Sequence, residues 1–123
     1  MSIPPVTTHL FDTQAGTAFA AGATVFDEGD AADCFFVVKS GNLEVRSGGR
    51  SMGQVGPGEI VGEMALVSDH GTRSGSAVAT EDSELVSVDR QRFEYLVAEH
   101  PMFAVTVLRT LARRVQLANG QSL

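Results

Sequence analysis

Cysteine and tryptophan are almost or entirely missing from this chain. It has one cysteine, Cys34, and no tryptophan. A single cysteine excludes an internal disulfide and favours a reducing compartment. Cys34 stands in the apolar run CFFVV, which predicts a buried, unreactive thiol. Without disulfides the fold must be held by a hydrophobic core, and 123 residues suffice for one domain.

Long apolar runs are also lacking. No stretch approaches the roughly 20 residues that a membrane-spanning helix needs. The first ten residues, MSIPPVTTHL, have no basic region followed by an apolar core, so they do not resemble a secretory signal. We therefore expect no membrane partner and a cytoplasmic location.

Positive charge is scarce, because the net charge is −6. Residues 1–89 carry four basic and thirteen acidic side chains, whereas residues 90–123 carry five arginines against two glutamates. Binding to nucleic acid requires a basic surface, so we expect no nucleic-acid partner. The basic C-terminal part is either a solvated helix face, which we favour, or a contact for an acidic protein partner.

Motifs for metal binding and catalysis are absent from the sequence. The three histidines are scattered at positions 9, 70 and 100, without the H-x-H pair that a jelly-roll metalloenzyme would use. No G-x-S-x-G motif, Cys–His pairing or Walker loop occurs. We predict no metal, no cofactor and no catalytic residue, which makes a metalloenzyme the weakest of the functional alternatives.

Short strands fill the first two-thirds of the chain. Turn signals separate them, and Gly41-Asn42 and Gly48-Gly49 are the best candidates for hairpin turns because glycine adopts the positive φ that such turns need. Regularly spaced short strands indicate a sandwich, barrel or jelly roll. The predicted strands are 17–20, 24–26, 35–39, 43–46, 52–55, 76–79 and 85–88.

The last third of the chain is predicted to be helical. Asp89 is a suitable N-cap for a helix from Arg90 to about Glu99, and Pro101 can begin a second helix that runs to about Ala118. Strands followed by helices indicate an α+β fold with a mostly antiparallel sheet. An apolar seam on the second helix either packs on the β domain or joins two copies of the chain; it comprises Ala104, Leu108, Leu111, Val115 and Ala118.

Residues 58–66 interrupt the strand pattern and are predicted to form a short helical turn. Gly62 allows close approach of a ligand to the backbone, and the unpaired N–H groups after it favour an anion. Arg73 has the planar fork that suits a phosphate, and Ser74 adds a hydroxyl donor. Glu63 would repel an anion but can accept a hydrogen bond from a sugar hydroxyl. Together these residues indicate a phosphate and a ribose hydroxyl on one small ligand.

Each residue also has a simpler explanation. Arg73 alone could form a surface salt bridge, and Glu63 alone could favour its own helix dipole. Gly29 and Asp30 are better explained as turn structure than as ligand contacts. The phenylalanines at positions 19, 26, 35 and 36 are expected in the core.

Three ordered motifs resemble the cyclic-nucleotide-binding domain family, which includes the catabolite activator protein and the regulatory subunit of cAMP-dependent protein kinase. GEMAL at 62–66 followed by Arg73-Ser74 is similar to the family's phosphate-binding cassette. Residues 26–33 and 36–45 resemble the family's upstream turn and its strand–glycine–strand unit. The resemblance covers residues 17–118, with a shortened N-terminal segment at 1–16 and a tail at 119–123.

The resemblance implies a role for each matching position. Arg73 would pair with the cyclic phosphate, Ser74 would donate to it, and Glu63 would accept the ribose 2′-hydroxyl. Backbone groups of Gly62, Met64 and Ala65 would contribute, while Val45, Val61 and Leu66 would form walls. In the family the last helix closes over the base as a lid. The lid candidates are therefore Leu108, Arg109, Leu111, Ala112 and Val115, with Arg113 as a further polar contact.

The resemblance also implies the fold and the function. We expect an antiparallel β jelly roll with a short phosphate-cassette helix and two C-terminal helices. The domain would be a receptor for cAMP or cGMP, not an enzyme, in which the ligand repositions the helical lid. No effector segment is recognised in the sequence, so a protein effector would be a partner. The alternative is a ligand-free domain of the same fold that serves as an interaction or dimerisation module.

Overall fold

The structure is a computed structural model that describes residues 15–64 and 71–118. Within these ranges the chain forms eight strands and two helices. The strands are β1 (Thr17–Phe19), β2 (Thr24–Phe26), β3 (Cys34–Ser40), β4 (Leu43–Ser47), β5 (Arg50–Val55), β6 (Ile60–Val61), β7 (Ser76–Ala79) and β8 (Ser83–Asp89). The helices, numbered here α1 and α2, are Arg90–Glu99 and Pro101–Ala118.

The strands form two four-stranded antiparallel sheets. The first has the order β1-β8-β3-β6 and the second β2-β7-β4-β5. This arrangement with two C-terminal helices confirms the predicted α+β fold with an antiparallel β jelly roll. Of the predicted cassette helix only Met64 is described, as a helical residue. The rest of that helix, most of the N-terminal segment and the tail at 119–123 lie outside the described residues.

Strand β3 separates two hydrophobic clusters because its side chains alternate between the two faces of the first sheet. Val38 lies in the cluster between the sheets, together with Phe26 and Leu43. Phe35 and Val37 lie in the cluster that the helices cover. The Phe35 ring stacks on Phe103 of α2 with a centroid distance of 6.2 Å. The helices are therefore fixed to the outer face of the first sheet.

Both helices begin and end where the sequence predicts. The Asp89 side chain accepts a hydrogen bond of 2.8 Å from the backbone N–H of Arg92, which is the expected N-cap contact. Pro101 occupies the start of α2, where the missing N–H of proline costs no helical hydrogen bond. Among the described residues, no helix is long and apolar enough to cross a membrane.

The apolar seam predicted on α2 packs on the β domain only in part, because Leu111 lies against the cluster that the helices cover. Phe103 and Val107 are buried, whereas Leu108 and Val115 are 64% and 58% exposed. Residues three or four positions apart also share the neighbouring face of α2, which carries Phe103 and Val107. The large Phe103 ring, which packs against Phe35, selects that face. The side chain of Ala118 lies outside the described residues.

The prediction that residues 58–66 are a helical turn throughout was wrong at Ile60 and Val61. They form β6, in which Ile60 pairs with Val37 and Val61 with Phe36. Both side chains are buried. Two residues are too few for strand alternation to show in a sequence, so only the pairing with β3 reveals the strand.

The prediction of a hairpin turn at Gly41-Asn42 was also wrong. Strand β3 belongs to the first sheet and β4 to the second, so this turn is a corner that carries the chain between sheets. Gly41 has a φ of 95°, and a Cβ atom there would collide with Ser83. In contrast, Gly48-Gly49 joins the paired strands β4 and β5 as a two-residue hairpin, as predicted.

Candidate functional site

A cavity of about 550 Å³ lies between the second sheet, residues 61–64, residues 73–75 and the C-terminal half of α2. Its walls combine apolar side chains with two buried charged residues, Glu63 and Arg73. A largely apolar cavity with a few convergent polar groups is typical of a small-molecule site.

Gly62 brings the backbone close to the guanidinium of Arg73. Its φ is 83°, a conformation that residues with a side chain rarely adopt. A Cβ atom at this position would lie 2.5 Å from Nη1 of Arg73 and 3.3 Å from the Phe26 ring. Glycine is therefore required both by the backbone conformation and by the space.

Arg73 is only 7% exposed. Its Nη1 atom donates hydrogen bonds to the carbonyl oxygens of Cys34, at 2.7 Å, and Gly62, at 3.1 Å. The guanidinium carbon lies 4.2 Å from the centroid of the Phe26 ring, which places the cation over the aromatic face. No carboxylate within the described ranges lies at ion-pair distance from Arg73. Among the described residues the cation is thus held by neutral groups at the cavity wall.

The backbone of Arg73 is fixed by the turn at Gly29 and Asp30. The N–H of Gly29 donates to the Arg73 carbonyl at 2.8 Å, and the N–H of Arg73 donates to the Asp30 carbonyl at 2.8 Å. Gly29 has a φ of 89° and no neighbouring atoms that would exclude a side chain. These two residues therefore act as turn structure that positions Arg73.

Glu63 is 1% exposed, and α2 supplies its partner. Nη1 of Arg114 donates a hydrogen bond to Oε1 of Glu63, while Nη2 donates to the Ile60 carbonyl at 2.6 Å. The second carboxylate oxygen, Oε2, is buried and has no hydrogen-bond partner among the described residues. A buried acceptor without a partner is costly, so this atom is suited to a donor from a ligand.

The structure brings most of the predicted site residues to one cavity. Val45, Val61, Gly62, Glu63, Met64, Arg73 and Ser74 all line it. Ala65 and Leu66, which the resemblance also assigned to the site, lie outside the described residues.

The predicted lid residues divide into two groups. Leu111, Val115 and Arg113 line the cavity. Leu108, Arg109 and Ala112 are exposed and do not line it, and their role in the lid stays a prediction. Leu108 lies on the same side of α2 as Val115 but seven residues, or about two turns, earlier in the helix.

Several cavity residues were not predicted. Arg114 is the most important, and its position three residues after Leu111 would have indicated it once the buried face of α2 was known. Phe26 is a core residue as predicted, but its ring also supports Arg73. The other lining residues that were not predicted are Ser47, Met52, Gly53, Gln54, Val55, Glu59, Gly75 and Thr110.

Cys34 differs from its prediction. It is half-buried, not buried, and its Sγ atom lies 3.6 Å from Nη2 of Arg73. Its carbonyl oxygen is the closest acceptor of the guanidinium. The residue lies at the start of β3, where the sheet ends and solvent reaches the side chain.

Comparison with known proteins supports this geometry. The cyclic AMP receptor protein of Thermus thermophilus is 37% identical over 106 residues, which are 82% of this chain and 49% of that protein. A solved structure from work on a cyclic-GMP-dependent signalling pathway that regulates bacterial phytopathogenesis has a TM-score of 0.76 at 28% identity, with full coverage of both chains.

A further relative is a transcriptional regulator. The CRP-like cAMP-activated global transcriptional regulator of Mycobacterium tuberculosis is 32% identical over 83% of this chain and 47% of that protein. The chain thus spans about half the length of these two curated relatives. Because one relative is a transcriptional regulator, the expected lack of a nucleic-acid partner does not extend to the relatives. For these 123 residues it stays a prediction.

The match to a family model covers most of the chain. Residues 17–100 match the model of the cyclic nucleotide-binding domain, a range that contains every strand, the Gly62–Arg73 contact and Glu63. The described cavity residues that fall outside the matched range all belong to α2. The chain belongs to the cyclic nucleotide-binding domain family.

Proposed function

We propose that this domain is a receptor that binds a 3′,5′-cyclic nucleotide, cAMP or cGMP, reversibly in the cavity. The observation that carries the proposal is the buried guanidinium of Arg73, which faces a cavity with no carboxylate partner among the described residues. A buried charge without a counter-ion is unfavourable, and a bound anion removes that cost. The single negative charge of a cyclic phosphodiester matches the single cation.

Glu63 supports a ribose as the neighbouring part of the ligand. Its Oε2 atom is buried and has no partner in the described ranges, and Oε1 is already held by Arg114. A 2′-hydroxyl is a neutral donor that would satisfy Oε2 without adding charge. A cyclic ribonucleotide offers the matching pair of groups, a phosphate acceptor for Arg73 and a 2′-hydroxyl donor for Glu63.

Ligand binding is proposed to reposition α2. Leu111 and Val115 contribute apolar contacts to the cavity, and Arg114 links the helix directly to Glu63. A ligand shifts a conformational equilibrium only if it binds one arrangement more tightly. Contacts from both the sheet and α2 to one ligand supply such a difference. The family relation supports a regulatory role without catalysis or cofactor, and the single cysteine supports a cytoplasmic location.

A second candidate function is an interaction module that needs no ligand. Leu108 and Val115 are exposed large apolar residues on α2, as is Met102. Exposed apolar side chains on one helix are a candidate contact for a second copy of the chain or for an effector protein. Within the described part of the chain Arg73 has no carboxylate partner and Glu63 Oε2 no donor. Both features favour the receptor, because an interaction module has no use for either.

Calorimetric titration with cAMP and with cGMP tests the receptor function. We expect binding of at least one of them, and we expect Arg73→Ala to weaken it by at least about tenfold, since a charged hydrogen bond contributes roughly 1.5–3 kcal/mol. Arg109→Ala is the matched control, because Arg109 is an exposed arginine outside the cavity. Circular dichroism establishes that both variants fold.

The ribose contact has its own test. Glu63→Gln keeps an acceptor and should weaken binding less than Arg73→Ala, and a 2′-deoxy cyclic nucleotide should bind the wild type more weakly than its parent. If neither cAMP nor cGMP binds the wild type at millimolar concentration, the receptor function is wrong and the interaction module replaces it.

A further inference from the structure

We propose that Ser47 is a positioning residue for the phosphate part of the ligand, because its hydroxyl fixes the peptide group of Ser74. This inference rests on the proposed function, in which Arg73 and Ser74 bind the phosphate. It adds a residue from a different element to that function, since Ser47 is the last residue of β4 in the second sheet.

Ser74 lies just before β7, outside the regular pairing of the second sheet. Strand β7 begins at Ser76, which pairs with Arg46 of β4. Ser74 itself is exposed and lines the cavity. A residue beyond the last pair of a ladder is not oriented by the sheet. The direction of the Ser74 hydroxyl therefore depends on other contacts of its backbone.

The Ser47 hydroxyl supplies such a contact. Its Oγ atom donates a hydrogen bond of 3.1 Å to the Ser74 carbonyl. Ser47 lies two residues after Val45 on β4, and both line the cavity because alternate residues of a strand share one face. A peptide group is planar, so fixing its carbonyl fixes the whole plane between Ser74 and Gly75. The hydrogen bond thereby sets the orientation in which Ser74 meets the cavity.

Gly75 permits the close approach that this hydrogen bond needs. A Cβ atom at Gly75 would lie 2.6 Å from the Arg46 carbonyl oxygen and 3.6 Å from the Cβ atom of Ser47. Gly75 is not among the glycines with positive φ, so glycine is required here by space and not by backbone conformation. The end of β4 and residues 74–75 are therefore packed closely together.

A ring of hydrogen bonds closes around the two phosphate-binding residues. The Glu28 carboxylate accepts a hydrogen bond of 3.0 Å from the N–H of Gly48, the residue after Ser47. The turn that contains Glu28 holds the backbone of Arg73 through two hydrogen bonds. The ring thus runs from the turn to the β4–β5 hairpin, from the hairpin to Ser74, and from Arg73 back to the turn. Both phosphate-binding residues are held from two sides.

Ser47 contributes more to orientation than to stability. Ser74 is exposed, so water can replace the Ser47 hydroxyl at the Ser74 carbonyl, and the cost to folding is small. A ligand, in contrast, needs the donor in one direction, because a hydrogen bond weakens steeply when its angle departs from linearity. Loss of Ser47 should therefore affect binding more than folding.

Calorimetric titration of the full chain with cAMP and with cGMP tests the role of Ser47. Ser47→Ala should weaken binding about three- to tenfold, the range of one hydrogen bond, whereas Ser47→Thr keeps the hydroxyl and should bind within about twofold of wild type. Ser51→Ala is the matched control, because its hydroxyl lies on the same hairpin but donates to Glu44 and does not line the cavity. Wild-type affinity in Ser47→Ala overturns the inference. Binding of neither nucleotide to the wild type overturns the receptor function itself.

Phosphorothioate analogues separate positioning from a general loss of structure. The Rp and Sp isomers carry sulfur in place of one or the other exocyclic oxygen, and sulfur is a weak hydrogen-bond acceptor. Since Ser74 is aligned with one of these oxygens, Ser47→Ala should weaken one isomer at least about threefold more than the other. An equal loss for both isomers would show a structural effect only and overturn the inference. Thermal unfolding without ligand establishes that the variants are folded.

A double-mutant cycle with Ser74→Ala separates positioning from direct contact. In the Ser74→Ala background, Ser47→Ala should change the affinity by less than about twofold, because the hydroxyl that Ser47 positions is already missing. A full further loss in the double variant would mean that Ser47 itself contacts the ligand. That result overturns the positioning role and leaves the receptor function in place.

Discussion

Arg114 and Glu63 form a hydrogen-bonded ion pair, although they are 51 residues apart in the chain. Glu63 is almost completely buried, whereas the Arg114 side chain is about one-third exposed. The pair joins the C-terminal helix to the carboxylate that is proposed to hold the ribose. A movement of α2 would therefore change the surroundings of Glu63.

Arg114→Ala is expected to lower the free energy of unfolding by roughly 1–3 kcal/mol. The substitution leaves a buried carboxylate without its charged partner, and partial exposure of the pair keeps the loss below that of a fully buried one. Urea denaturation measures the change. Arg113→Ala is the control, because the neighbouring arginine is exposed. Equal stability of the two variants would show that the ion pair does not stabilise the fold.

Gly62→Ala is expected to weaken cyclic-nucleotide binding by at least about tenfold, because loss of even one charged hydrogen bond costs this much. The new Cβ atom would displace Nη1 of Arg73, which lies 2.5 Å from its position. Gly22→Ala is the matched control: its φ is similarly positive at 87°, but no atom lies near the new Cβ. Calorimetry and thermal unfolding measured on both variants distinguish the collision from the backbone strain. The prediction fails if the two variants bind equally well.

Phe26→Leu is expected to weaken ligand binding several-fold. A cation–π contact contributes roughly 0.5–2 kcal/mol, and loss of the ring beneath Arg73 leaves the guanidinium less well held. Phe19→Leu removes a ring from the same hydrophobic cluster without touching Arg73, so it controls for lost packing. Calorimetric titration of both variants, at equal concentrations of folded protein, measures the change in ligand affinity. A similar affinity loss in both variants would argue against a role for the cation–π contact.

Asp89→Ala is expected to lower the free energy of unfolding by about 1 kcal/mol, the usual contribution of an N-cap. The carboxylate accepts the Arg92 N–H at the start of α1, and alanine leaves that donor without its partner. Asp89→Asn retains an acceptor and should restore most of the stability. Denaturation curves of the two variants decide the matter, and an Asn variant as unstable as the Ala variant would contradict the capping role.

Local features were predictable because they depend on neighbouring residues. Asp89 and Pro101 identify the helix starts through capping and proline geometry, which act within one turn. Gly48-Gly49 specifies a tight hairpin in the same way. Gly62 and Arg73 could be paired in advance because their residue types suit one anion, and the structure brings them into contact.

Contacts between distant elements were not predictable from single positions. Strand β6 exists only because β3 pairs with it, and two residues carry no periodic pattern. The corner at Gly41 resembles a hairpin turn until the pairing assigns β3 and β4 to different sheets. Arg114 was missed because two neighbouring faces of α2 fit the same apolar spacing.

The sequence alone determined the alternation of short strands and turns, the limits of both helices, and the residues of the anion site, since each depends on short-range dihedral preferences and side-chain chemistry. Only the tertiary structure decided which face of α2 packs on the sheet, and with it the pairing of Arg114 with Glu63. That choice depends on how large rings such as Phe35 and Phe103 fit together across elements, and close packing of this kind is a property of the assembled core.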